Sequence, residues 1–216
     1  FRLVRQVRPE LKRVGVVWCT AETCSEACTV LARDECARLG MDLVEMPVMT
    51  SSEITDAVRA LLARQVEAIW IGGDNIVEQA APSVIELALQ AGIPVFANAP
   101  VHAENGALLG LGADYYQVGR TVGDLAADVL EGRSPGAIPV DNVVPQQLAV
   151  NTAILSRLRP AWTVPPEVLA SASRIIGEPD SARSGPTSAA APAGPLRRIG
   201  VMYYGPDPMI DRGLEG

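Results

Sequence analysis

The chain has 216 residues, 48% of them hydrophobic and 20% charged, which is a globular composition with enough length for one substantial core. Its formal net charge of −7 argues against nucleic-acid binding, which requires a basic face. No apolar run reaches the roughly 18 residues needed to cross a bilayer. The first residue is Phe1 and not Met, so the lack of a visible signal peptide carries no information, and the chain reads as a piece of something longer.

In chain order, Phe1–Pro9 reads as the end of a helix that Pro9 breaks. Val14–Trp18 is apolar throughout, the mark of a strand buried on both faces. A helix over Ser25–Leu39 follows, with Thr23 or Ser25 available to cap it and Gly40 to end it. Met41–Pro47 is a second strand, Glu53–Arg64 a helix, and Ala68–Ile71 a third strand running into the turn Gly72-Gly73-Asp74-Asn75. A helix over Glu78–Ala91 carries Pro82 in its first turns, and strands over Ile93–Ala97 and Ala107–Leu111 come next. Tyr115–Glu131 is an amphipathic helix with Val118, Val122, Leu125 and Leu130 turned inward. Leu148–Asn151 reads as a strand, Thr152–Leu158 as a short helix and Glu167–Ile176 as a final one. Strand and helix alternate throughout, which specifies an α/β doubly wound parallel sheet flanked by helices.

Composition changes at Glu178. Residues 178–195 are rich in Pro, Ser, Ala and Gly without periodicity and read as a flexible linker. After it, Arg197-Arg198-Ile199-Gly200-Val201 echoes Lys12-Arg13-Val14-Gly15-Val16, so 196–216 reads as the truncated start of a further lobe or domain.

The cysteines at 19, 24, 28 and 36 lack the C-x2-C knuckle of a zinc site, and the sole histidine, His102, is far away in sequence. Small buried hydrophobes, or one disulfide from Cys19 to Cys24 or Cys28, fit better. No metal or cofactor is implied. Gly-Gly-Asp is not a phosphate fingerprint, since neither G-x-G-x-x-G nor a P-loop Lys is present. No nucleophile–base pair or carboxylate–metal set is visible, so the chain reads as a binding lobe and not an enzyme.

Open parallel sheets bind small ligands at the carboxyl ends of their strands. Thr23 and Ser25 would offer hydroxyls and a helix amino terminus to a carboxylate, or simply cap the helix. Asp74 would pair with an ammonium and Asn75 hydrogen-bond beside it, or either would cap the helix that follows. Asn98 ends the fourth strand on the cleft side. Asp114 caps the long helix and is a further candidate contact, and His102 is a candidate at the rim.

Several segments together carry a family resemblance: Thr50-Ser51-Ser52-Glu53-Ile54, Gly73-Asp74-Asn75, Ile93-Pro94-Val95-Phe96-Ala97, Gly112-Ala113-Asp114-Tyr115-Tyr116-Gln117-Val118-Gly119-Arg120, Leu130-Glu131-Gly132, Ile138-Pro139-Val140 and Pro165-Pro166. Over residues 1–177 the chain resembles the substrate-binding proteins of ABC transporters, in the tryptophan/tyrosine-type branch with the type I periplasmic-binding fold. The matched region corresponds to the carboxy-terminal lobe and tail. The resemblance implies a clamshell whose missing amino-terminal lobe closes over an amino acid or similar small polar molecule, and an ABC permease as transmembrane partner. It implies a periplasmic or extracellular location, the protein being either exported free or lipid-anchored. The sequence departs from the family's pattern at Cys19–Cys24 and at Asn98-Ala99, where an amine-binding carboxylate is lacking. The alternative is a ligand-sensing domain of a multidomain signalling protein. The unpaired lobe surface makes a homodimer of the fragment an expectation.

Overall fold

A computed structural model describes residues 1–139 and 144–177. The expected linker over 178–195 and the new beginning at 196–216 lie outside the described residues, as does Val140 of the Ile-Pro-Val segment. The described residues fall into two compact units: Phe1–Ala113 together with the residues from Gln146 onward, and the stretch Asp114–Pro145.

The first unit contains α1 (Arg2–Val7), β1 (Arg13–Cys19), α2 (Thr23–Arg38), β2 (Asp42–Val48), α3 (Ile54–Ala63), β3 (Ala68–Ile71), α4 (Asn75–Gln79), α5 (Ala81–Gln90), β4 (Val95–Ala97), α6 (Val101–Glu104) and β5 (Leu109–Ala113). The second unit holds α7 (Tyr115–Leu130), after which the first unit resumes with β6 (Gln146–Asn151), α8 (Pro166–Ser171) and β7 (Arg174–Ile176). The strands form one seven-stranded sheet in the order β2-β1-β3-β4-β5-β6-β7. β1 to β5 are parallel, β6 runs antiparallel to β5, and β7 is parallel to β6.

The sheet's centre follows from composition. Every residue of β3 is buried, as are Val14, Val16, Val17 and Cys19 of β1, because helices cover a central parallel strand on both faces. α3 contributes Ile54, Ala57, Val58 and Leu61 to the core, the i, i+3, i+4, i+7 spacing of a single helical stripe. β5 lies so close to the segment after β4 that a side chain at Gly112 would overlap the Asn98 carbonyl, and glycine is the residue that permits the approach.

Four local departures from the sequence reading have physical causes. The expected helix over 78–91 is two helices, because Pro82 has no N–H to continue the ladder and falls in the first turn of α5. The short α6 precedes β5, and the Ala107 N–H is committed to the His102 carbonyl, so the strand starts at Leu109 and not Ala107. The final helix ends at Ser171, and Ile175 and Ile176 pair with Val150 and Asn151 as β7, a placement that suits β-branched side chains; over 152–158 the structure has only a 3-10 turn at Leu155–Arg157. Finally, no residue of α7 is buried: Val122 is 59% and Leu130 50% exposed, since the described part of this unit supplies no second layer to cover the apolar stripe.

Leu61 is fully buried, so Leu61→Ala is expected to cost about 2–5 kcal/mol, read as a lowered urea midpoint with an unchanged slope.

Candidate functional site at the carboxyl ends of the strands

Because β1 to β5 are parallel, their carboxyl ends share one edge of the sheet. β2 lies on one side of β1 and β3 on the other, so the direction of winding reverses between β1 and β3. The crevice outside such a switch point is where open α/β sheets bind ligands.

Asp74 sits at the floor of this crevice, 4% exposed. Its Oδ1 accepts the Val77 N–H at 2.8 Å, which caps α4. Its Oδ2 accepts the Cys19 N–H at 2.6 Å and the Ser25 hydroxyl at 2.5 Å, and Ser25 Oγ shares that Cys19 N–H at 3.0 Å. Ser25 is itself buried. One carboxylate thus ties the end of β1, the first turn of α2 and the start of α4, and its oxygens are engaged by protein donors.

Neither Thr23 nor Ser25 caps α2. The helix begins at Thr23, which is exposed, and Glu22 holds the N-cap position without a side-chain hydrogen bond to the first turn. The amide groups of that turn and the positive end of the helix dipole therefore lack a side-chain cap. Glu22 reaches across the crevice instead, where its Oε2 accepts the Asn75 N–H at 3.0 Å. One strand further, the exposed Asn98 donates its backbone N–H to Ile71 O at 3.1 Å, and its Oδ1 accepts the Trp70 indole N–H, also at 3.1 Å. The Trp70 ring is steadied by Phe1, whose centroid lies 5.0 Å away.

The structure therefore brings Ser25, Asp74 and Asn75 together at the ends of β1 and β3, with Asn98 on the adjoining strand and Thr23 exposed in the first turn of α2. Asp114 belongs to the second unit, where its Oδ1 accepts the Gln117 N–H at 3.0 Å and caps α7. Sequence reasoning passed over Glu22 and the indole of Trp70. The only signal for Glu22 was its place immediately before the helix start. Two further expectations are corrected. All four cysteines are free, and only Cys19 and Cys36 are buried. His102 is not at a rim: it lies in α6 at 5% exposure, and neither ring nitrogen has a partner among the described residues. Burial pushes its pKa below the ordinary 6.5.

A mostly parallel sheet with polar loops gathered at its switch point defines a small-ligand-binding α/β lobe. The model of the ABC transporter substrate binding protein family matches residues 1–176, and the chain belongs to that family. It is 31% identical over 158 residues to a tyrosine-binding protein of Clostridioides difficile (strain R20291), an alignment that covers 73% of this chain and 46% of that protein. A conserved domain protein from Vibrio cholerae superposes with a TM-score of 0.69 at 33% identity, covering 81% of this chain and 58% of that one. A ligand-free, open substrate-binding protein with adhesive properties from Clostridium difficile superposes with a TM-score of 0.67 at 26% identity, covering 82% and 58%. The chain thus spans about half the length of the relatives it matches. The family is one of binding proteins and not of enzymes, and of transport proteins and not of signalling ones.

Asp74→Ala is expected to cost about 1–3 kcal/mol for each buried donor it orphans, and to strip hydrogen-exchange protection from the Val77 amide while the Cys19 amide keeps Ser25 Oγ as acceptor; retained protection at Val77 would refute the tie. His102 generates a pH dependence. Its folded pKa lies below the unfolded 6.5, so its contribution to stability is present above that pH and is lost as pH falls, because the unfolded chain takes up the proton. The melting temperature should therefore drop as pH falls below about 6.5, and His102→Phe should flatten that drop.

Proposed function

We propose that this chain forms one lobe of a substrate-binding protein serving an ABC importer, and that the β1–β3 crevice receives an amino acid of the aromatic class. The observation that carries this reading is the contact of Glu22 with Asn75 across the crevice, beside Asn98 on the next strand, above a floor fixed by Asp74 and Ser25. The identity to a tyrosine-binding protein supports the ligand class.

The chemistry divides by sign. The uncapped first turn of α2 and the Thr23 hydroxyl suit the ligand carboxylate. The Glu22 carboxylate suits the ammonium, and so takes the role that sequence reasoning gave to Asp74. Asn75 and Asn98 supply amide groups that donate or accept, with the Trp70 indole fixing the orientation of Asn98. A second lobe closes over the crevice, and the ligand shifts the open–closed balance only by as much as it favours the closed form. The closed form delivers the solute to a permease, which places the protein outside the cytoplasmic membrane, in the periplasm or at the cell exterior.

The test is calorimetric titration and thermal shift on the natural protein that contains this chain, against a panel of amino acids. Tyrosine or tryptophan should raise the melting temperature, and Glu22→Gln and Asn98→Ala should each weaken binding about tenfold, equivalent to about 1.4 kcal/mol. A panel without any shift, or binding indifferent to both substitutions, would overturn the assignment.

A further inference from the structure

Cys24 and Cys28 take no part in the site just described, yet they form a pair. They stand one turn apart on α2 and turn their sulfurs to the same spot: a Cβ built at Gly73 would lie 3.2 Å from Cys28 Sγ and 3.7 Å from Cys24 Sγ. Cys24 is exposed and Cys28 half-buried, so the pair is open to solvent. The other two cysteines behave differently. Cys36 is buried, and burial pushes its thiol up to about 11; Cys19 is buried with its Sγ 4.0 Å from the Met49 carbonyl.

Helix geometry decides what such a pair can do. Side chains at i and i+4 have Cβ atoms about 5–6 Å apart, whereas a disulfide needs about 3.5–4.5 Å. Direct S–S bonding would therefore unwind the first turn of α2. An atom that bridges the two sulfurs fits the helix as it stands. Both sulfurs lie against Gly73, where a Cβ would crowd Cys28 Sγ, and among the described residues no group of three or more metal-ligating side chains forms, so a centre held by the pair takes two protein ligands. Thiolates select soft ions. The neighbouring Cys28, with smaller contributions from burial and from the Glu22 and Asp74 carboxylates, raises the Cys24 thiol, so an arriving ion must displace its proton. The same negative surroundings favour an arriving cation.

We propose that Cys24 and Cys28 form a dithiol chelate site for a soft, thiophilic ion or metalloid that accepts two thiolates. With phenylarsine oxide as the probe, two arsenic–sulfur bonds form and the arsenic–oxygen bond breaks. Both thiol protons leave with the oxygen as water, and nothing is oxidised or reduced.

The experiment is titration of the reduced, oxygen-free 216-residue chain with phenylarsine oxide, read by intact mass and peptide mapping. One equivalent should bind, withstand excess glutathione and be released by dithiothreitol. Cys24→Ser and Cys28→Ser should each lose about 100-fold or more in retention, the effective-concentration gain of a second thiol on the same scaffold. The double variant Cys19→Ser/Cys36→Ser should keep the adduct. If the buried substitutions unfold the chain, mapping on the unsubstituted protein decides: arsenic bridging the peptides of Cys24 and Cys28 supports the chelate. Arsenic on Cys19 or Cys36, or retention equal in Cys24→Ser and the unsubstituted chain, overturns it.

Discussion

The crevice depends on one buried carboxylate. Removing Asp74 from water would be costly if its oxygens faced apolar atoms, but the Cys19 N–H, the Ser25 hydroxyl and the Val77 N–H all point at it. These donors come from three different elements, so satisfying the charge fixes where β1 ends, where α2 starts and how α4 leaves the sheet. Glu22 and Asn75 ride on those same elements, and their contact across the crevice follows from the tie beneath them. The ion pairs elsewhere do other work. Arg33 grips Glu45 through two nitrogens and lies over the Trp18 ring, but at a partly exposed surface where such pairs contribute little.

The sheet was largely legible in the sequence because its central strands have no polar face to hide. β1 and β3 are apolar at nearly every position, which in a chain of alternating elements leaves only a doubly covered strand. β7 was not legible: its three residues follow a proline-led helix without a turn signal, and only pairing with β6 makes Arg174–Ile176 a strand. The split at Ala80 was half visible, since Pro82 was recognised as tolerable in a first turn but not as the start of a second helix. In the crevice the residue types were readable and their directions were not. An Asp at the end of a strand looks the same whether it faces a ligand or its own chain. What turns Asp74 inward are donors 55 and 49 positions earlier in the chain, and no local pattern announces contacts at that distance. The pairing of Glu22 with the Asn75 amide is hidden for the same reason.

The junction between the two units has its own consequence. Ala113 and Gln146 are register partners in the antiparallel β5–β6 pair, so the chain leaves the sheet and returns to it at a single rung. To the sheet, everything between these residues is the loop of one very long hairpin. Closing such a loop costs conformational entropy that grows only with the logarithm of its length. The excursion can therefore be lengthened, shortened or exchanged over evolutionary time while the hydrogen-bond register of β5 and β6 stays as it is. The size of that segment is a nearly free variable, whereas the loops at the β1–β3 crevice, each tied to its neighbours, are not.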